Sequence, residues 1–100
     1  MYKITIVVPT YNGYDSLKKC IISLITQNFK KKDYEIIIID DGSTDPGYTN
    51  LPDFLKNFDN QKITYLKSDK NRGPAFARNL GTKKSKARYI AFIDDDCIAE

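Results

Sequence analysis

The amino-acid sequence predicts an α/β fold: a parallel sheet with helices on both faces, three layers deep, formed by one domain over residues 1–100. Three observations predict it. Short β-branched runs alternate with segments whose apolar residues recur at helical spacing, in the order β-α-β-α-β-α-β. Each of the three gaps between successive strands is long enough for a right-handed crossover. The runs Ile36-Ile37-Ile38-Ile39 and Ile90-Ala91-Phe92-Ile93 are apolar throughout, as strands covered on both faces are.

The first strand is read at 4–8, where Ile4-Thr5-Ile6-Val7-Val8 is β-branched and Pro9 is expected to stop it. A helix over 15–27 follows, with Leu17, Cys20, Ile21, Leu24 and Ile25 on one face and Asp15 or Ser16 as its N-cap. The second strand is 34–39, closed by Asp40-Asp41-Gly42-Ser43. A second helix over 49–58 carries Leu51, Phe54, Leu55 and Phe58, with Pro52 tolerated in its first turn. Residues 63–66 form the third strand. Gly73-Pro74 opens a third helix over 74–84, with Phe76, Ala77 and Leu80 as its apolar side. The fourth strand, 88–93, runs into Asp94 and is placed beside the first.

Composition removes several chemistries. With no histidine, imidazole acid–base work, Ser-His-Asp triads and histidine metal sites are excluded. Cys20 and Cys97 stand far apart with no zinc-ligand spacing and are read as reduced, buried small hydrophobes. No apolar run approaches the roughly 20 residues of a membrane span, and the first residues lack the pattern of a signal peptide. The expected location is cytoplasmic, including the cytoplasmic face of a membrane. Neither G-x-G-x-x-G nor G-x-x-x-x-G-K-[ST] occurs, which disfavours dinucleotide oxidoreductases and P-loop NTPases.

Parallel strands bring their carboxyl ends to one edge, where open α/β sheets bind ligands. Pro9-Thr10-Tyr11-Asn12-Gly13, Asp40-Asp41-Gly42-Ser43-Thr44-Asp45 and Asp94-Asp95-Asp96 all follow strands and so meet there. Each cluster alone also reads as an ordinary polar turn; their shared edge favours a ligand. Three adjacent carboxylates repel unless a cation neutralises them, and oxygen ligands suit Mg²⁺ or Mn²⁺. An extended run would set Asp94 and Asp96 on one side and Asp95 on the other. Tyr11 offers a ring for stacking, and the Gly73-Pro74 helix start offers free amides to an anion, with Arg78 one turn on. Nine basic residues against one acid between Lys62 and Arg88 suggest a basic wall facing the carboxylates.

Four segments, Ile6-Val7-Val8-Pro9-Thr10-Tyr11-Asn12, Ile39-Asp40-Asp41-Gly42-Ser43-Thr44-Asp45, Asn71-Arg72-Gly73 with Ala77-Arg78-Asn79, and Phe92-Ile93-Asp94-Asp95-Asp96, stand in the order and spacing of family 2 glycosyltransferases. The chain resembles that family from residue 4 to 100. The resemblance implies the nucleotide-binding, Rossmann-like half of the GT-A fold, a nucleotide-sugar donor (most often a UDP-sugar), inverting transfer, and a divalent metal, Mn²⁺ or Mg²⁺, on a D-x-D motif. It implies that Pro9, Thr10 and Tyr11 contact the nucleotide, that Asp41 reads the uracil edge, and that Arg78 approaches the nucleotide. It further implies that Asp94 serves the ribose or metal, that Asp96 is the principal metal ligand, and that Asp95 assists either. The family's acceptor site and general base are expected beyond Glu100, so no catalytic residue is assigned and transfer by this chain alone is not expected. A surface left bare by the missing half would favour homo-oligomers; the saccharide, lipid or protein acceptor stays open.

Two other classes fit the residues less well. A phospho-receiver expects an acid pair after the first strand and an acceptor Asp after the third, where Tyr11-Asn12 and Lys67-Ser68-Asp69 stand. A basic nucleic-acid-binding module would need exposed aromatics, and Tyr65, Phe76 and Tyr89 fall at expected core positions. No nucleic-acid partner is therefore expected.

Overall fold

The computed structural model describes residues 2–27 and 30–96. Its elements are β1 (Ile4–Thr10), α1 (Tyr14–Ile25), β2 (Tyr34–Asp40), α2 (Leu51–Leu55), β3 (Ile63–Lys67), α3 (Pro74–Lys84) and β4 (Tyr89–Phe92). The four strands form one sheet in the order β3-β2-β1-β4, parallel at every pairing. β1 and β2 pair from Ile4↔Tyr34 to Thr10↔Asp40, and all seven residues of β2 are buried.

Alternation along these strands sorts the core into two layers. Ile6, Val8, Ile36 and Ile38 face α1, meeting Leu17, Cys20, Ile21 and Leu24, with Tyr48 and Leu51 completing the cluster. Val7, Ile37 and Ile39 face the other way, onto Ala77 of α3, with Leu66, Leu80 and Ile90 at the margin. The helices therefore cover both faces, as the sequence predicts. Cys20 is buried and in no disulfide, while Cys97 lies outside the described residues.

α3 sits close to the sheet because its buried residues are small, Ala77 and Gly81. A Cβ on Gly81 would overlap Val7 Cγ1 and stand 3.0 Å from Cγ2. Gly81→Ala is expected to push α3 off β1 and cost about 1–3 kcal/mol, read as a lowered urea midpoint with an unchanged m-value.

Several boundaries differ from the sequence reading. β1 continues through Pro9 to Thr10. Val7 O accepts from Ile93 N, whereas Thr10 O accepts from Asp41 N, so Pro9 turns its nitrogen toward the β4 side, past the last pair Val7↔Phe92. No ladder bond is lost there. α1 begins at Tyr14 with Gly13 as its N-cap, and neither Asp15 nor Ser16 caps it; Leu17 N donates to Gly13 O at 2.8 Å. The segment read as one helix over 49–58 is a five-residue α-helix between two 3₁₀ turns, Pro46–Asn50 and Lys56–Phe58. Phe76 and Tyr89 are corrections too: they are 37% and 63% exposed, and Phe76 lies under the Arg72 guanidinium, 5.2 Å from its ring centroid.

Candidate functional site

The carboxyl ends of the strands open onto a cleft of about 350 Å³, lined by Pro9, Thr10, Tyr11, Asp41, Asn71, Pro74, Ala77 and the acidic turn Asp94-Asp95-Asp96. That volume lies in the range of small-molecule sites. Seven of the eight predicted residues meet here; Arg78, exposed on α3, is not among the lining residues. Asn71, Pro74 and Ala77 join the cleft because α3 begins at it. Its first-turn amides have no intrahelical acceptor and give that end a partial positive charge.

The walls are locked by side chains to which the sequence assigned no role, Asn12, Ser43 and Tyr48, together with the predicted Thr10, Asp41 and Asp95. Asn12 takes a left-handed φ of 51°, and its Oδ1 accepts from Thr44 N at 2.7 Å and Asp45 N at 2.9 Å. Its own N–H donates to Ser43 Oγ at 2.9 Å. The two loops after β1 and β2 are thereby tied together, leaving Tyr11 47% exposed at the cleft. The sequence offered only local signals, Asn12-Gly13 and Asp41-Gly42-Ser43 as turn formers, and nothing that joins the two loops.

A second lock is a directional chain of hydroxyls. Thr10 Oγ1 donates to Asp95 Oδ2 at 2.7 Å, so Tyr48 OH is the donor in its 2.5 Å bond to Thr10, and it accepts from Gly13 N at 2.9 Å. Thr10 and Tyr48 are buried, and the chain turns Asp95 inward. The extended alternation expected of 94–96 is not realised: β4 ends at Phe92, and Asp95 and Asp96 form a turn. Asp95 anchors the acidic turn, and Asp94 and Asp96 are its exposed members. Tyr48→Phe keeps the ring beside Tyr14 (centroids 5.5 Å apart) but removes the hydroxyl. The expected cost is about 1–3 kcal/mol, because Gly13 N–H and Thr10 Oγ1 lose their partner; chemical denaturation checks it.

The adjacent carboxylates Asp40 and Asp41 do different work. Asp41 is 5% exposed and accepts from Arg72 N and Gly73 N, both at 2.8 Å. It holds the start of α3 against the cleft, and each oxygen keeps a lone pair for a further donor. Asp40 is fully buried and accepts from Ser43 N and from Tyr65 OH, at 2.9 and 2.6 Å. Burial first, then the bond to Asp40, pushes the Tyr65 phenol well above its usual range.

Among the described residues no three His, Cys, Asp or Glu side chains form a ready-made metal centre. Two exposed carboxylates beside an inward-turned third still suit a hard cation that completes its shell with ligand oxygens. The basic wall expected across from them is mostly absent. Of the nine cations between 62 and 88, Lys62, Lys83, Lys84, Lys86 and Arg88 stand at strand starts or the end of α3, on the opposite edge.

Comparison with known proteins matches this architecture. The sequence model of the family described as Glycosyl transferase family 2 covers residues 5–100. A poly(ribitol-phosphate) beta-glucosyltransferase of Bacillus spizizenii is 39% identical over 94 residues, which is 94% of this chain and 15% of that protein. The poly(ribitol-phosphate) beta-N-acetylglucosaminyltransferase TarP of Staphylococcus aureus is 40% identical over 98 residues, 96% of this chain and 29% of that one. Among solved structures, S. aureus TarS 1-349 in complex with UDP superposes with a TM-score of 0.82 at 29% identity, over 94% of this chain and 27% of that one. The mannosyltransferase PcManGT of Pyrobaculum calidifontis, in complex with GDP-Man and Mn²⁺, shares the fold with a TM-score of 0.90 at 21% identity, over 98% of this chain and 29% of that one. This chain thus spans less than a third of the length of these proteins.

Proposed function

The chain belongs to glycosyl transferase family 2, and from that membership we propose that its cleft binds the nucleotide diphosphate of a nucleotide-sugar donor, foremost a UDP-sugar, for inverting transfer to an acceptor. One observation carries the reading: an exposed aromatic ring, a helix start and an acidic turn converge on a single cleft at the sheet's carboxyl edge. The UDP complex of TarS, at 29% identity, supports the choice of nucleotide.

Tyr11 stacks the base, with Pro9 stiffening its approach and Asp41 at the base edge. The α3 start receives the phosphates, with Arg78 one turn away as an exposed counter-charge. Asp94 and Asp96 would hold Mn²⁺ or Mg²⁺, which when bound neutralises diphosphate charge on the departing nucleotide. Asp95 and Thr10 keep that turn in place. The resemblance to the family implies a general base and an acceptor site outside the described residues, and on this reading residues 1–100 bind donor without transferring it. β4 is an edge strand of the described sheet with Phe92 exposed, and self-association through it is the expected oligomeric contact.

Thermal melts with UDP and Mn²⁺ test the reading. At 100 times Kd the ligand adds about 2.7 kcal/mol, which raises the Tm of a domain this size by several degrees. Asp96→Asn is expected to remove the metal-dependent part of that rise. No UDP-dependent shift with either metal would overturn the proposal.

A further inference from the structure

Nine of the sixteen cations of this chain collect at the edge of the sheet opposite the cleft. Lys3, Lys62 and Arg88 each stand directly before a strand, and the lysine run 30–32 precedes β2. Lys83 and Lys84 end α3, which runs back from the cleft, and Lys86 follows in the turn to β4. Ser85 Oγ donates to Thr5 Oγ1 at 2.6 Å, which fixes that turn against the first residues of β1. All nine are exposed except Lys31, whose ammonium bonds Ile25 O. The acids nearby are Asp33, Asp59 and the buried Glu35, and among the described residues Lys3 with Asp33 makes this set's one ion pair, at 3.9 Å. The opposite edge carries the acidic turn, Asp40, Asp41, Asp45 and Asp69 against three cations, Lys67, Lys70 and Arg72, and so stays net acidic. A chain of net charge +3 is therefore a strong charge dipole along its strands.

We propose that this basic edge docks the protein on an anionic phospholipid surface, with the donor cleft opening away from it. The cations spread across four strand starts and a helix end, a broad face where the named cleft lies at the other edge; a dispersed charge sheet suits headgroups better than a bound polymer. Eight of the nine are lysines, hydrated point charges without the bidentate fork used to read phosphates and bases. Tyr89, beside Arg88 and 63% exposed, supplies the amphipathic ring found at membrane interfaces. The acidic edge is repelled by the same surface, which sets the orientation.

Vesicle co-sedimentation decides it, comparing pure phosphatidylcholine with an equimolar mixture of phosphatidylcholine and phosphatidylglycerol. Binding to the anionic vesicles alone is expected near 0.1 M salt and is expected to vanish near 1 M, where the screening length falls from about 10 to about 3 Å. The triple variant Lys83→Gln, Lys84→Gln, Lys86→Gln should bind about a hundredfold more weakly, at about fivefold per lysine. UDP binding by that variant should be unchanged, since none of the three lines the cleft, which separates this proposal from the donor reading. Lys3→Gln with Lys62→Gln approaches the same edge from β1 and β3 and should weaken binding likewise. Equal partition onto neutral vesicles, undiminished binding by both variants, or displacement from vesicles by a single-stranded oligonucleotide would overturn the proposal.

Discussion

Replacing Gly42 with alanine is expected to destabilise the protein by about 2–5 kcal/mol and to weaken UDP binding with it. Gly42 has φ +75°, a left-handed conformation that costs an L side chain about 1–2 kcal/mol. Space is the larger obstacle. A Cβ there would stand 2.5 Å from Asn71 N and 2.8 Å from Lys70 Cα, which are backbone atoms and not the tip of a pliable side chain. Relief requires the 70–73 segment to move, at a further cost of about 1–3 kcal/mol. That segment brings Asn71 to the cleft and donates the amides of Arg72 and Gly73 to Asp41. Fold and site are coupled at this residue. Against a total stability of about 5–15 kcal/mol the loss is large, and a urea titration paired with UDP calorimetry measures both parts. A variant within 1 kcal/mol of wild type, by about the error of such extrapolations, would show that the two loops part freely.

How much of this could be read beforehand depended on the period of the signal. Strands and helices announce themselves by repetition, so the parallel sheet and its two covered faces were legible; the placement of β4 beside β1 has no such period behind it and came with the family resemblance. The converging loops followed from parallel topology alone, which is why seven predicted residues line one cleft. Single-residue contacts between distant loops have no period. Thr10 meets Asp95 across 85 positions and Tyr48 across 38, and no local pattern links them. Phe76 misled for a related reason: helical spacing assigned it to the apolar side, but α3 packs so closely through Ala77 and Gly81 that a large ring is turned out. Pro9 misled because whether a missing N–H costs anything depends on where the neighbouring strand stops. The basic stretch misled because sequence proximity ignores that a crossover helix carries charge from one edge of the sheet to the other.

Asp40→Ala is expected to be the costliest change of a single carboxylate, at about 3–6 kcal/mol, although Asp40 is not among the residues lining the cleft. Two bonds to a charged acceptor contribute about 1.5–3 kcal/mol each, and both donors, Ser43 N–H and Tyr65 O–H, would be left in a poorly hydrated place. Their loss frees the Ser43 turn that Asn12 also grips, so the Tyr11 loop loosens and UDP affinity falls as a secondary effect. Asp40→Asn keeps the volume and one acceptor and is expected to recover part of the loss. The pH dependence supplies a separate check. The Tyr65 phenol has a folded pKa above its usual 10.0, raised first by burial and then by Asp40 through its hydrogen bond and charge. A pKa raised on folding contributes stability that is complete below the unfolded value and is lost as pH rises through the folded one. The contribution of Tyr65 to wild-type stability should therefore be lost only above pH 10. Without Asp40, two causes of the elevation disappear, so the native phenolate absorbance should appear at lower pH than in wild type, while the stability lost above pH 10 through this group should be smaller. Tyr65→Phe should abolish that phenolate signal and cost less than Asp40→Ala, because Ser43 N–H keeps its acceptor. An Asp40→Ala protein as stable as Tyr65→Phe would mean that the turn holds itself without the buried carboxylate.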